Sequence, residues 1–131
     1  MFFQVTKGEI SLEKAVEMVK TAEMGAVVTF VGTVRAFSLG RKVRYLEFDV
    51  SLEEVEGKLR EIGEEIAERW ETEHLAILHR IGQLEVGEKI SIIAVATPHR
   101  AEAFAACQYA IDRMKETLHT PMKEVWEYSA T

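Results

Sequence analysis

The spacing of apolar residues along this chain changes several times, and each change marks an element. Phe2 to Val5 reads as a short strand. From Ser11 the apolar residues Leu12, Ala15, Val16 and Val19 recur at helical spacing. They predict a helix that Ser11 opens, with Lys14 completing an imperfect capping box, and that runs to about Ala22. Gly25 to Arg35 is a near-continuous β-branched run, the pattern of a strand covered on both faces, and Gly32 within it marks a bulge or a close backbone approach. Ala36 to Lys42 reads as a polar loop. Val43 to Val50 alternates as the next strand. Ser51 and Glu54 then form a capping-box signature for the longest predicted helix, Leu52 to about Trp70, whose glutamate-rich outer face is a solvated surface. His74 to Leu84 and Glu88 to Thr97 predict two strands that Glu85-Val86-Gly87 closes as an antiparallel hairpin. Ile90 to Ala96 is apolar enough for the centre of a sheet.

The last helix collects most of the candidate chemistry. Thr97 suits an N-cap and Pro98 the first helical position, which puts His99 and Arg100 in the first turn, where unpaired N–H groups and the helix dipole favour an anion. Phe104, Cys107, Ile111, Met114 and Leu118 form the predicted buried stripe, with Lys115 beside it near the C-terminal end. Pro121 blocks continuation, and Met122 to Tyr128 alternates as an edge strand. The order β-α-β-β-α-β-β-α-β predicts a single α+β domain: a mainly antiparallel sheet with three helices packed on it.

Composition narrows the function. A chain of 131 residues is one domain by size and buries roughly two thirds of its unfolded surface. With 22 acidic against 16 basic side chains, the net charge of −6 argues against sequence-independent nucleic-acid binding through a basic face. An anion site must therefore be a local concentration of positive charge. The one cysteine, Cys107, excludes an intrachain disulfide and reads as a small buried hydrophobe. The N-terminus has no signal-peptide pattern and no apolar run reaches membrane-spanning length, so a cytoplasmic protein is expected. No His, Cys, Asp or Glu cluster has metal-ligand spacing, and there is no Gly-rich phosphate loop or nucleophile elbow; neither metal nor cofactor is expected.

Two His-Arg pairs differ in setting. His79-Arg80 lies within a predicted strand, where a hydrogen-bonded structural histidine is the usual outcome. His99-Arg100 lies where a strand runs into a helix, a recurrent ligand position. Arg35, at the mouth of the Ala36 to Lys42 loop, reads from spacing alone as a salt-bridged strand-end arginine, and Lys115 alone suits the helix dipole as well as it suits catalysis.

Three motifs together resemble the large, catalytic subunit of molybdopterin synthase. They are Gly25-Ala-Val-Val-Thr-Phe-Val-Gly-Thr-Val-Arg35; His79-Arg80-Ile81-Gly82-Gln83-Leu84 followed by Gly87-Glu88; and His99-Arg100 through Phe104 and Ile111-Asp112 to Lys115. The match covers nearly the whole chain and treats residues 1–131 as one large-subunit domain of α/β hammerhead-like fold. It implies a sulfur transferase that converts cyclic pyranopterin monophosphate (precursor Z) into molybdopterin in molybdenum cofactor biosynthesis. The sulfur comes as a thiocarboxylate on the C-terminal Gly-Gly of a small ubiquitin-like partner, which joins a homodimer of large subunits in a heterotetramer.

By resemblance, Lys115 and Lys123 are the catalytic residues, and Thr33, Val34, Arg35, His99, Arg100, Lys123 and Glu124 bind substrate. Cations suit a cyclic phosphate and a thiocarboxylate, and a lysine among them can serve as acid/base or nucleophile. The chain departs from the family at Thr120-Pro121-Met122-Lys123-Glu124: where two consecutive basic residues are common, one lysine remains. Two other readings stay open on the residues alone. One is a non-catalytic module that captures the tail of a ubiquitin-like protein; the other is an unrelated enzyme acting on a small phosphorylated metabolite.

Overall fold

The computed structural model describes residues 1–118 and 122–127; Thr120 and Pro121 of the departing motif lie outside the described residues. In chain order the elements are β1 (Phe2–Thr6), α1 (Leu12–Val19), β2 (Ala26–Thr33), β3 (Phe37–Ser38), β4 (Arg41–Phe48), α2 (Leu52–Trp70), β5 (Leu75–Arg80), β6 (Gly82–Glu85), β7 (Lys89–Thr97), α3 (Arg100–Leu118) and β8 (Met122–Trp126). The fold is α+β, as the pattern predicts, but its strands divide between two sheets. The first has the order β1-β5-β7-β2, with β1 parallel to β5 and β7 antiparallel to both neighbours. In the second, β4 pairs antiparallel with β3, β6 and β8.

The first sheet is covered on both faces at its centre, which is why β5 and β7 are almost wholly apolar. Leu75, Ile77, Ile93 and Val95 face one core with α2 and α3, while Ala76, Leu78, Ile92, Ala94 and Ala96 face a smaller one with Ala15 and Val19 of α1. Ser11 caps α1 by accepting a hydrogen bond from the Lys14 N–H at 3.1 Å. The helix stops at Val19, short of Ala22, because the next inward positions, Ala22 and Glu23, offer little to bury. So short a helix leaves β2, at the sheet edge, half covered: Val27 and Thr29 are exposed, contrary to the fully covered strand its composition suggests. The expected irregularity at Gly32 is present as a register shift between Gly32 and Thr33.

Three further expectations change. The Ala36 to Lys42 loop is a hairpin, because Leu39 and Gly40 both take left-handed backbone angles (φ 53° and 75°) in a two-residue turn of the kind that reverses twisted strands. The strand expected over His74 to Leu84 breaks at Ile81: Gly82 has φ 87°, and the chain leaves the first sheet as β5 and enters the second as β6. α3 starts at Arg100, and it equals α2 at 19 residues. Thr97 ends β7 and donates its hydroxyl to the His99 carbonyl instead of capping the helix. Gly25 is needed at this corner, since a Cβ there would collide with the Pro98 carbonyl oxygen.

The buried stripe of α3 is also rotated from its predicted place. Ala103, Ala106, Cys107, Ala110, Met114 and Leu118 face inward, and Phe104 is 61% exposed. Alanines against the sheet let the helix axis approach closely, and this turns Phe104 to the flank.

α2 and α3 are tied across their outer edge. Glu65 accepts from Arg113 Nε at 2.8 Å and from the Tyr109 hydroxyl at 2.6 Å, and these contacts, Arg113's first, hold its carboxyl down at about 2. A carboxylate whose folded value is depressed stabilises the fold above its ordinary range near 4.5 and loses that contribution as pH falls toward 2. Glu65→Gln should therefore lower the thermal midpoint by a few degrees at pH 7, a modest effect because the pair is partly solvated. Unfolding curves recorded from pH 7 to pH 2 should show the difference between variant and wild type closing below about pH 4.5.

Candidate functional site

The break at Gly82 carries β6 and its neighbours β4 and β8 across one end of the first sheet. There β4 and β8 enclose a cavity of about 320 Å³ with the ends of β5 and β7 and the C-terminal end of α3. Its walls are mostly apolar, from Phe48, Ile90, Ile111, Met114, Leu118 and Met122, and its polar side chains are Lys115, His79 and Ser91. Lys115 is exposed, so its ammonium keeps contact with water while its stem borders the apolar wall. His79 and Ser91 are register partners on β5 and β7.

Arg35 lies just beyond β2. The backbone of Val34 fixes this end by two bonds to the β6–β7 turn: its N–H donates to the Glu88 carbonyl at 3.0 Å, and its carbonyl accepts from Gly87 at 2.8 Å. Val34 is itself buried and Thr33 exposed. Arg35 Nη2 donates to Ser38 Oγ at 2.8 Å, Ser38 Oγ donates to Glu124 Oε1 at 2.8 Å, and Arg35 Nε stands 3.7 Å from Glu124 Oε2. Arg35 is thus the salt-bridged strand-end arginine that spacing suggests, yet 70% of its side chain stays exposed. Ser38, hidden in the hairpin that reads as a loop, is the residue sequence reasoning misses.

Glu124 and Met122 alternate onto the same face of β8, roughly 7 Å apart along the strand, so the Arg35–Glu124 pair adjoins the Lys115 cavity. Lys123 projects to the opposite face, in register with Glu47, and does not line the cavity. His99 and Arg100 are exposed at the far end of α3. The helix is unbroken from Arg100 to Lys115, so their Cα atoms lie roughly 22 Å apart along its axis. One chain therefore sets Glu124, with Arg35 against it, on the face of β8 that gives Met122 to the Lys115 cavity, and leaves His99 and Arg100 at the far end of α3.

The histidine in the cavity floor is neutral. Burial pushes His79 down to about 4 against the opposing effect of its bond to the Arg80 carbonyl, 2.7 Å from Nδ1. Arg80 is structural: its Nη1 meets Glu88 at 2.6 Å and its Nη2 donates to the Lys7 carbonyl at 2.8 Å. Among the described residues no group of three His, Cys, Asp or Glu side chains is placed to hold a metal.

Comparison with known proteins places this geometry in a family. The model of the MoaE protein family matches residues 5–117. The molybdopterin synthase catalytic subunit of Bacillus subtilis is 42% identical over 125 residues, 95% of this chain and 80% of that protein. The subunit of the same name from Halalkalibacterium halodurans is 41% identical over the same shares. The crystal structure of molybdopterin synthase from Staphylococcus aureus superposes with a TM-score of 0.87 at 39% identity, covering 97% of this chain and 93% of that one.

Cys107 takes no part in the site. It is buried in the stripe of α3, and burial pushes its thiol up to about 11. Iodoacetamide at pH 8 should leave the native protein unmodified by mass spectrometry and label Cys107 fully once denaturant is added. Rapid labelling of the folded protein would place the thiol at the surface.

Proposed function

The chain belongs to the MoaE family, and from that membership we propose that it serves as the catalytic subunit of a molybdopterin synthase, transferring sulfur to cyclic pyranopterin monophosphate (precursor Z) to form molybdopterin. Residues 1–131 serve as a large-subunit domain, and the reaction takes place in the cytoplasm. A catalytic subunit implies a second subunit. The partner is the small ubiquitin-like sulfur carrier, whose C-terminal Gly-Gly thiocarboxylate donates the sulfur.

The observation that carries this reading is the apolar cavity bordered by Lys115 beside the exposed Arg35 guanidinium, within a chain that the family model matches over residues 5–117. An acidic protein has few places for two anionic reactants. Here a lysine borders a slot for a thiocarboxylate, and Arg35, positioned by Ser38 and Glu124, stands outside it for the phosphate. Apolar walls displace water from the slot, which strengthens the attraction of the ammonium for the tail. Thr33 and Val34 carry Arg35 to this mouth, Glu124 orients it, and Lys115 is the group for acid/base or nucleophilic work. Lys123, on the other face of β8, stands outside this slot.

Lys115→Ala should abolish conversion and weaken, without abolishing, binding of the small subunit, while leaving cooperative unfolding intact. The assay supplies precursor Z with thiocarboxylated small subunit and follows the oxidised fluorescent derivative of the dithiolene product. Tail binding with no conversion by the wild type would instead identify a non-catalytic binding module.

His99 and Arg100 reach the site from a second copy. Arg100, Phe104, Gln108, Ile111 and Lys115 follow one another at helical spacing on one flank of α3, with Gln108 near the midpoint. Two such helices packed antiparallel about a two-fold axis beside Gln108 set Arg100 of each copy against Lys115 of the other. The same packing covers the exposed ring of Phe104. The assembly is then a homodimer of large subunits with a small subunit at each end. Mixing inactive His99→Ala/Arg100→Ala chains with inactive Lys115→Ala chains, under verified subunit exchange, should restore part of the activity, because each heterodimer keeps one intact site. Zero activity after demonstrated exchange would confine the site to a single chain.

A further inference from the structure

The Lys115 cavity holds a hydrogen-bond acceptor whose orientation the fold dictates. A carbonyl oxygen can only accept, so the 2.7 Å contact between His79 Nδ1 and the Arg80 carbonyl places the ring proton on Nδ1. The neutral ring then presents Nε2 as a lone pair. No hydrogen bond to Nε2 occurs among the described residues, and the ring lines the cavity. An edge-on contact with Phe48, centroids 4.9 Å apart, fixes the ring plane from the second sheet. The ring is therefore held by β5 on one side and β4 on the other.

Chemistry narrows what such a cavity receives. Lys115 offers only donors and matches an anion; His79 Nε2 matches a donor; the Ser91 hydroxyl can do either, and the remaining walls are apolar and pair with no polar atom. At about 320 Å³ the space is at the small end for ligand sites and suits a slender segment. A peptide C-terminus without side chains has this pattern: a terminal carboxylate or thiocarboxylate, then an amide N–H within a few ångströms. Resting on the reading of the cavity given above, we propose that His79 is a binding residue for the tail of the small subunit, its Nε2 accepting a backbone N–H of the terminal Gly-Gly while Lys115 holds the terminal anion. An entering amide that found no acceptor would remain desolvated and unpaired, so His79 helps to set both affinity and the depth to which the tail inserts.

The test uses calorimetry with two probes, the small subunit in its carboxylate form ending in Gly-Gly and the same subunit lacking those two residues. His79→Asn keeps an amide near the Nδ1 position but cannot reach the place of Nε2, whereas His79→Gln puts an amide oxygen close to it. His79→Asn should weaken binding of the Gly-Gly probe about tenfold, leave the truncated probe unchanged, and be largely rescued by His79→Gln. Unchanged affinity for the Gly-Gly probe in a cooperatively folded His79→Asn variant would overturn the proposal, as would equal losses for both probes, which a merely structural histidine produces. If His79→Asn does not fold, His79→Phe supplies a ring of similar shape without the acceptor and is held to the same comparison. Wild-type protein that binds both probes equally would show that the tail does not enter the cavity, and the reading of the cavity would fall with the proposal; a tail-dependent wild type with indifferent variants would remove His79 alone.

Discussion

The site depends on the corner between β5 and β6, and that corner depends on Arg80. Its guanidinium is 9% exposed and joins three stretches of chain: its own strand, the Lys7 carbonyl after β1, and Glu88 at the start of β7. The pairing with Arg80, foremost among its contacts, holds the Glu88 carboxyl below its usual range. Removing Glu88 would leave the guanidinium short of one partner, a cost moderated by the water that reaches the exposed carboxylate. With Arg80 anchored, Ile81 bonds to the Thr6 carbonyl at 3.0 Å, Gly82 turns through its left-handed conformation, and the second sheet is set across the end of the first. Phe48 and Met122 thereby come to stand opposite Met114, Lys115 and Leu118, and the cavity exists between them.

The two halves of the proposed anion-handling surface differ in rigidity. Arg35 sits on a strand end stitched to the β6–β7 turn and is oriented through Ser38 and Glu124, so its charge is placed with little freedom. Lys115 is a long, flexible side chain at the margin of an apolar wall, suited to following a group that changes during reaction. With Arg35 and Lys115 in their proposed roles, a fixed guanidinium meets the part of the substrate that stays and a mobile amine the part that reacts.

Length is the other constraint. A 19-residue helix is roughly 28 Å long, far more than a small pterin, so the basic groups at its two ends serve separate sites unless a second copy folds the distance back. The small residues along its inner face bring α3 close to the sheet, and the large apolar residue displaced by that approach, Phe104, comes to lie on the flank between the two basic ends.

What the sequence determined by itself was local or periodic. Ser11 and Ser51 cap their helices, Gly32 marks a bulge, and β7 is central because its run from Ile90 to Ala96 is almost wholly apolar; each follows from side-chain chemistry within a few residues. The family, too, was legible, since its motifs are runs of chain. Tertiary structure alone decided which way the elements turn and what they meet. The Leu39-Gly40 turn carries no strong hairpin dipeptide, so β3 and Ser38 stayed hidden. The strand break at Gly82 needs a second sheet to receive β6, the covering of β2 depends on how far α1 extends, and the stripe of α3 is set by how closely alanines let it approach. His79 shows the division most plainly. Its sequence context marks a structural histidine, and it is buried and hydrogen-bonded as such. Only the packing of β4, β8 and α3 over the end of β5 makes the same ring part of a cavity, because a side chain's neighbours across space follow from where the chain turns and not from the residues beside it.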